Sequence, residues 1–184
     1  MLKLSDNPPI LTPDVTSVTD LQGTWWLAHT KARAEKAFAW DLIGHGIGFF
    51  LPMREKVIFS GGRKRRGMAP LFTSYVFFCG SDSDRHKALT TNRLCQTIEV
   101  ADPDKFVSQL ADIEKVLRLN TPIDAYPHLP VGTSCRITSG PLMGTEGVIV
   151  ERQDSKARMV LEITMLGQGA VIEIDADLLE ITDN

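Results

Sequence analysis

The sequence predicts an α+β protein: a four-stranded antiparallel sheet with packed helices, followed by a small five-stranded β-barrel. Three observations carry this. Between Pro70 and the closing Cys79–Gly80, the stretch Ala69–Gly80 (APLFTSYVFFCG) holds only aromatic, aliphatic, Ser and Thr residues. It suits a strand that is apolar on both faces and therefore central in its sheet. Around it, residues 23–118 alternate strand-like and helix-like runs in the order β-α-β-β-α-β-α, which fits helices packed on an antiparallel sheet. Beyond residue 131 the helical period disappears, and five short strand-like runs follow, separated by turn residues.

Taken in order, residues 1–22 carry three prolines with many Ser, Thr and Asp and read as a mobile tail. Thr24–Thr30 (TWWLAHT) is a strand with Trp25, Leu27 and His29 on one face. Ala32 to about Ile43 is helical: Ala34, Ala37, Phe38 and Leu42 share a stripe, and Gly44, Gly46 and Gly48 end it. Phe49–Phe59 is extended and interrupted by Pro52, and Ser60–Gly67 is a loop with four consecutive basic residues, Arg63–Arg66. In the central strand Tyr75, Phe77 and Cys79 share one face with Leu71 and Thr73; Phe72, Ser74, Val76 and Phe78 share the other. A buried core accounts for Phe72, Val76 and Phe78, whereas core and interface both fit Tyr75 and Phe77.

Ser81–Asp84 is a polar turn, Arg85–Thr91 a short helix and Leu94–Val100 a strand. Asp102 then caps a helix with Pro103 at its first position. Phe106, Leu110, Ile113 and Leu117 give that helix one apolar stripe. Residues 119–131, with three prolines, read as a linker. The barrel, residues 132–184, is assembled from Thr133–Thr138, Gly147–Arg152, Arg158–Leu166, Ala170–Asp175 and Leu178–Ile181. Gly140, Gly144 and Gly147 mark backbone conformations or close contacts that other residues resist.

Composition bounds the function. The 184 residues are 43 % hydrophobic and 23 % charged, ordinary for a globular protein. No apolar run approaches the roughly 20 residues of a membrane span, and the first residues lack the apolar core of a signal peptide. Cys79, Cys95 and Cys135 are an odd, scattered set, and the four histidines do not cluster. The expectation is no metal, no cofactor and a reducing cytoplasm. The net charge of −3 conceals an asymmetry. Residues 23–118 hold fifteen basic and ten acidic groups, residues 119–184 four basic and ten acidic. That suggests two modules with different partners. No nucleophile–base pair or phosphate loop is visible: the glycines of Gly44–Phe49 follow a helix, whereas phosphate binding needs them to precede one.

The chain resembles the NusG family of transcription elongation factors and, within it, the RfaH-like branch. One motif is WWLAHTK, the helix, FFLPM, the basic loop and PLFTSYVFF, similar to the family's N-terminal (NGN) domain. The other is VGTSCRITSGPLMGTEGVIVE, similar to the KOW motif of an SH3-like barrel. Together they cover about residues 24–182. The resemblance implies a non-enzymatic factor, without cofactors and acting as a monomer, that suppresses pausing or termination. Its apolar pocket would grip the clamp helices of RNA polymerase's largest subunit, and the implied pocket positions are His29, Tyr75, Phe77, Cys95 and Ile98. His29 stands where relatives tend to have an aromatic, and a core histidine fits as well as a contact.

Lys31, Arg63, Lys64, Arg65, Arg66, His86, Lys87 and Arg93 are the implied contacts to upstream or non-template DNA, held by phosphate attraction. His86 and Lys87 also fall where the branch touches the second-largest polymerase subunit. A solvated hairpin tip accounts equally for Arg63–Arg66. Ala37, Asp41 and Gly44 replace the polar or basic groups with which the branch reads a DNA element, which speaks against sequence-specific recruitment through that surface.

On the barrel, Met165, Leu166 and Gly167 match the site for a small-subunit ribosomal protein, and Gln168 replaces a basic residue associated with Rho binding. The acid that latches the branch's helical form of the KOW domain should precede Pro70; Ala69 stands there. The expectation is therefore a barrel, with the pocket open at rest. The alternative is an RNA- or ribosome-binding KOW module without polymerase binding, against which the acidic barrel argues.

Overall fold

A computed structural model describes residues 7–60, 63–128, 130–153 and 155–182, apart from the side chains of residues 58–60 and 63–65. Two compact units divide the chain, Met1–Pro103 and Asp104–Asn184.

The first unit contains β1 (Thr24–Thr30), α1 (Glu35–Gly44), β2 (Gly48–Phe50), β3 (Met53–Ser60), β4 (Arg63–Pro70), β5 (Tyr75–Gly80), α2 (Asp82–Thr90) and β6 (Leu94–Glu99). Four strands form an antiparallel sheet, as the sequence predicts; their order is β2-β5-β1-β6. β5 is central, and Val76, Phe77, Phe78 and Cys79 are all buried. Phe78 stacks on Trp26, with ring centroids 5.3 Å apart, and meets Phe38 of α1 edge-on at 6.0 Å. Leu42, Ile47, Phe49, Leu51 and Met53 complete this core.

Three expectations need correction. Ala69–Gly80 is not one strand: β4 ends at Pro70, a turn follows, and β5 starts at Tyr75. Ser74 in that turn has φ +66°, which ends any continuous extended backbone there. The basic run is not a loop either. Arg63–Arg66 opens β4, which pairs with β3 from Met53↔Pro70 to Ser60↔Arg63 in a separate two-stranded ribbon. Finally, residues 7–22, read as a tail, follow the sheet edge. Leu11 bridges Phe50, Thr12 N–H donates to Phe49 O at 3.1 Å, and Leu51 N–H donates to Ile10 O at 2.7 Å. Leu11 and Val18 are buried, so apolar residues scattered among prolines tie this segment down.

The second unit begins with α3 (Pro103–Arg118) and β7 (Ile123–Tyr126), then β8 (Thr133–Ile137), β9 (Glu146–Gln153), β10 (Lys156–Ile163), β11 (Gln168–Asp175) and β12 (Leu179–Ile181). The five expected barrel strands form, but the sheet has six, in the order β12-β8-β9-β10-β11-β7. The sixth, β7, comes from the stretch read as a linker and pairs with β11 from Ile123↔Ile172 to Tyr126↔Gly169. Gly140 and Gly144 have φ +80° and +87°. A Cβ on Gly147 would meet Val160 O at 2.5 Å, so β9 and β10 could not approach as they do.

α2 starts three residues before its expected position because Ser81 and Asp84 form a capping box. Ser81 N–H and hydroxyl donate to Asp84 Oδ2 at 3.0 and 2.7 Å. Hydrogen bonds from Lys87 and from Ser81 hold the Asp84 carboxyl well below the usual carboxylate range. A depressed carboxyl stabilises above its unfolded value, near 4, and loses that contribution as pH falls. Asp84→Ala is therefore expected to cost about 1 kcal/mol at pH 7. Urea unfolding followed by Trp25, Trp26 and Trp40 fluorescence measures this, and the difference from wild type should shrink below about pH 4.

Candidate functional site

The register of the sheet builds the site. On β1 and β5, His29 pairs with Tyr75, Leu27 with Phe77 and Trp25 with Cys79. On the other side of β1, His29 pairs with Gln96 and Leu27 with Ile98. Directly paired residues share a face, so one sheet face carries His29, Tyr75, Gln96, Leu27, Phe77 and Ile98. The His29 and Tyr75 rings stack at 5.2 Å with an interplanar angle of 25°. Both are half-buried, Gln96 is exposed, and Ile98 is 42 % exposed. Cys95 is exposed beside the register shift between His29 and Thr30.

Of the two readings open for Phe77, core and interface, it takes the core one. It is 0 % exposed, stacked on Phe50 at 6.4 Å and edge-on to Phe72 at 5.9 Å. Alternation places it on the same face as Tyr75, but alternation does not say how far the neighbouring rings cover it. Phe77 supports the patch from within the core.

Three backbone devices fix the end of the sheet where His29 and Tyr75 lie. Ser74 N–H donates to Glu35 Oε1 at 2.7 Å, Thr30 N–H to Ser74 O at 2.8 Å and Lys31 N–H to Arg93 O at 2.8 Å. Glu35 is only 4 % exposed, in the first turn of α1. Losing such a buried bond costs about 1–3 kcal/mol. Glu35, Ser74 and Gln96 escape sequence reading. A first-turn acid is ordinary, a serine at positive φ has no local signature, and the register that sets Gln96 opposite His29 is tertiary.

Among the described side chains, the basic residues hold separate intrachain partners. At the end of β1, Lys31 Nζ donates to Asn92 Oδ1 at 2.7 Å, and Arg93 pairs with Asp41 at 3.0 Å. Lys87 pairs with Asp84 at 2.8 Å, and His86 Nδ1 contacts Asp82 O at 2.9 Å. Arg66 lies 3.4 Å from Glu55 on the β3–β4 ribbon. The side chains of Arg63, Lys64 and Arg65 lie outside the described residues. Exposed pairs of this kind contribute about 0–1 kcal/mol and exchange readily for other anions.

In the second unit, Met165 and Leu166 sit in the single turn Thr164–Leu166, half-buried, with Gly167 at φ +66° closing it. β10 ends at Ile163, so Met165 is not the strand residue that the sequence suggests. No group of ligating side chains that could hold a metal occurs among the described residues, and no helix among them is long and apolar enough to cross a membrane.

Residues 23–108 match the family described as transcription termination factor nusG, and residues 131–162 match the KOW motif. Residues 23–108 are thus a NusG-family N-terminal domain and residues 131–162 a KOW motif. The chain's two units carry the NGN and KOW domains of that transcription factor family, which is not known as a family of enzymes. Among solved structures, one described as "Domain interaction in Thermotoga maritima NusG" is 17 % identical. The match covers 88 % of this chain and 98 % of that one with a TM-score of 0.53 and supports the fold alone. A second, an MjSpt4:Spt5 complex, is 15 % identical over 87 % of this chain and 97 % of that one, with a TM-score of 0.25. No curated protein matches.

The β2-β5-β1-β6 sheet carries a chemical reporter. Burial pushes the Cys79 thiol up to about 12 and also raises that of Cys135, and both side chains are buried. Thiolates are the reactive form. In the folded protein at pH 8, a maleimide should modify Cys95 alone, with Cys79 and Cys135 reacting only after unfolding; peptide mass spectrometry checks this.

Proposed function

We propose that this chain is a transcription elongation and antitermination factor of the RfaH-like branch, docking on the clamp helices of RNA polymerase's largest subunit through the His29–Tyr75–Ile98 face. The observation that carries the reading is a stacked, half-open His29–Tyr75 pair with a 42 %-exposed Ile98 on the same rigid face. Tyr with an apolar body and polar tip suits an interface. Large apolar residues seldom stay open without a partner when they share a patch. The role of Phe77 is to hold the floor beneath this face, and Cys95 lies at its rim.

The DNA contact is secondary. Lys31, Arg66, His86, Lys87 and Arg93 are exposed and can exchange their intrachain partners for phosphates without reading sequence. His86 and Lys87 are also the residues for the second-largest subunit. Arg93 is paired with Asp41 on the helix surface that the branch uses for DNA reading, which favours recruitment without a specific element. The KOW domain would meet a small-subunit ribosomal protein through Met165 and Leu166, with Gly167 shaping the turn; Gln168 leaves Rho without a basic contact there. The protein acts as a cytoplasmic monomer.

The test is binding of the full chain to core RNA polymerase by fluorescence anisotropy. Covering the still-exposed part of Tyr75 and Ile98 should contribute about 1 kcal/mol each. Tyr75→Ala and Ile98→Ser should each weaken binding by about three- to tenfold. Unchanged affinity in the double variant, with the fold intact by circular dichroism, would count against this face.

A further inference from the structure

The turn that carries Met165 and Leu166 is fastened from two sides within the second unit. Gln109 of α3 applies its whole side-chain amide to one residue. Its Nε2 donates to Thr164 Oγ1 at 2.7 Å, and its Oε1 accepts from Thr164 N–H at 3.2 Å. α3 also reaches the barrel at Lys115, whose Nζ donates to Met143 O at 2.6 Å. Beside the clasp lies a polar groove of about 300 Å³, lined from α3 by Gln109 and Asp112 and from the barrel by Glu146 and Glu162. On the far side of the turn, β7 covers the edge of β11 from Gly169 onward. Gly167 N–H closes the turn on Thr164 O at 3.1 Å.

These bonds end on Thr164, the residue before the apolar pair, and Met165 and Leu166 stay half-open. Fixing a residue's backbone costs about 1–2 kcal/mol, and a segment ordered beforehand does not pay this on binding. We propose that Gln109 is a positioning residue whose two-bond clasp on Thr164 holds the Met165–Leu166 turn in its binding geometry for a basic small-subunit ribosomal protein. The partner chemistry follows from charge: residues 119–184 hold ten acidic and four basic groups, so the module as a whole attracts a cationic protein. The inference rests on the ribosomal-protein reading of Met165 and Leu166.

The experiment uses the full chain with three variants: Gln109→Leu removes both bonds, Gln109→Glu keeps two acceptors for the Thr164 N–H and hydroxyl, and Leu166→Ser removes the contact itself. Two quantities are read, amide exchange at Thr164 by NMR and affinity for the isolated small-subunit ribosomal protein by calorimetry. Gln109→Leu should speed Thr164 exchange and weaken binding about three- to tenfold, the equivalent of one or two hydrogen bonds. Gln109→Glu should restore both toward wild type, and Leu166→Ser should weaken binding while leaving Thr164 exchange unchanged. Faster exchange with unchanged or tighter binding in Gln109→Leu overturns the positioning role while the ribosomal-protein reading stands. Unaltered Thr164 exchange in Gln109→Leu overturns the clasp. A wild-type chain that does not bind overturns the ribosomal-protein reading and the inference with it, while the exchange data still report whether the clasp exists.

Discussion

The antiparallel ladder between β1 and β5 is the constraint on which the rest of the first unit depends. Register is a discrete variable, and a slip by one residue exchanges the faces of the whole strand. The ladder from Thr24↔Gly80 to His29↔Tyr75 commits Trp26 and Phe78 to the helix-covered core. It thereby commits His29, Leu27, Tyr75 and Phe77 to the opposite face. Buried aromatics make the slip costly, because Trp26, Phe38 and Phe78 interlock by stacked and edge-on contacts. The open face is thus specified by the closed one. Glu35 completes the constraint at the point where β5 begins, holding Ser74 in a conformation that a serine rarely adopts unaided.

Much of this was legible in the sequence, for identifiable reasons. β1 forms over the run TWWLAHT as read, and β5 takes the second half of the expected strand Ala69–Gly80. The helix from Pro103 has a proline at its first position and an apolar stripe, and it forms as read. What stayed hidden is tertiary. Nothing local tells that Arg63–Arg66 pairs with Val57–Ser60 rather than looping out. A β ribbon tolerates a basic strand whose composition reads as loop. The segment Ile123–Tyr126 lies between prolines, and only the unpaired edge of β11 makes it a strand. In the same way, the edge of β2 recruits Ile10–Thr12 from a stretch whose composition suggests no structure.

For the candidate site, alternation put Tyr75 and Phe77 on one strand face, as the register does, but said nothing of their depth on it. His29, Tyr75 and Ile98 reach the surface, whereas Phe77, two residues from Tyr75, is sealed by Phe50 and Phe72. The division has a physical sense. A rigid aromatic floor fixes the rotamers above it, and an interface held on a sheet loses little entropy when it binds. The charged groups at the same end of the sheet behave differently. They are exposed pairs of small energetic weight.

The central claim is that the His29–Tyr75–Ile98 face is where the polymerase sits. Methyl NMR of the isotopically labelled full chain, titrated with core RNA polymerase, tests it most directly. The account predicts that the Ile98 methyl signal is lost to broadening at substoichiometric polymerase, before the signals of buried barrel methyls such as Ile163 and Ile174. An Ile98 signal that persists with its free-state width while other methyls broaden would contradict it.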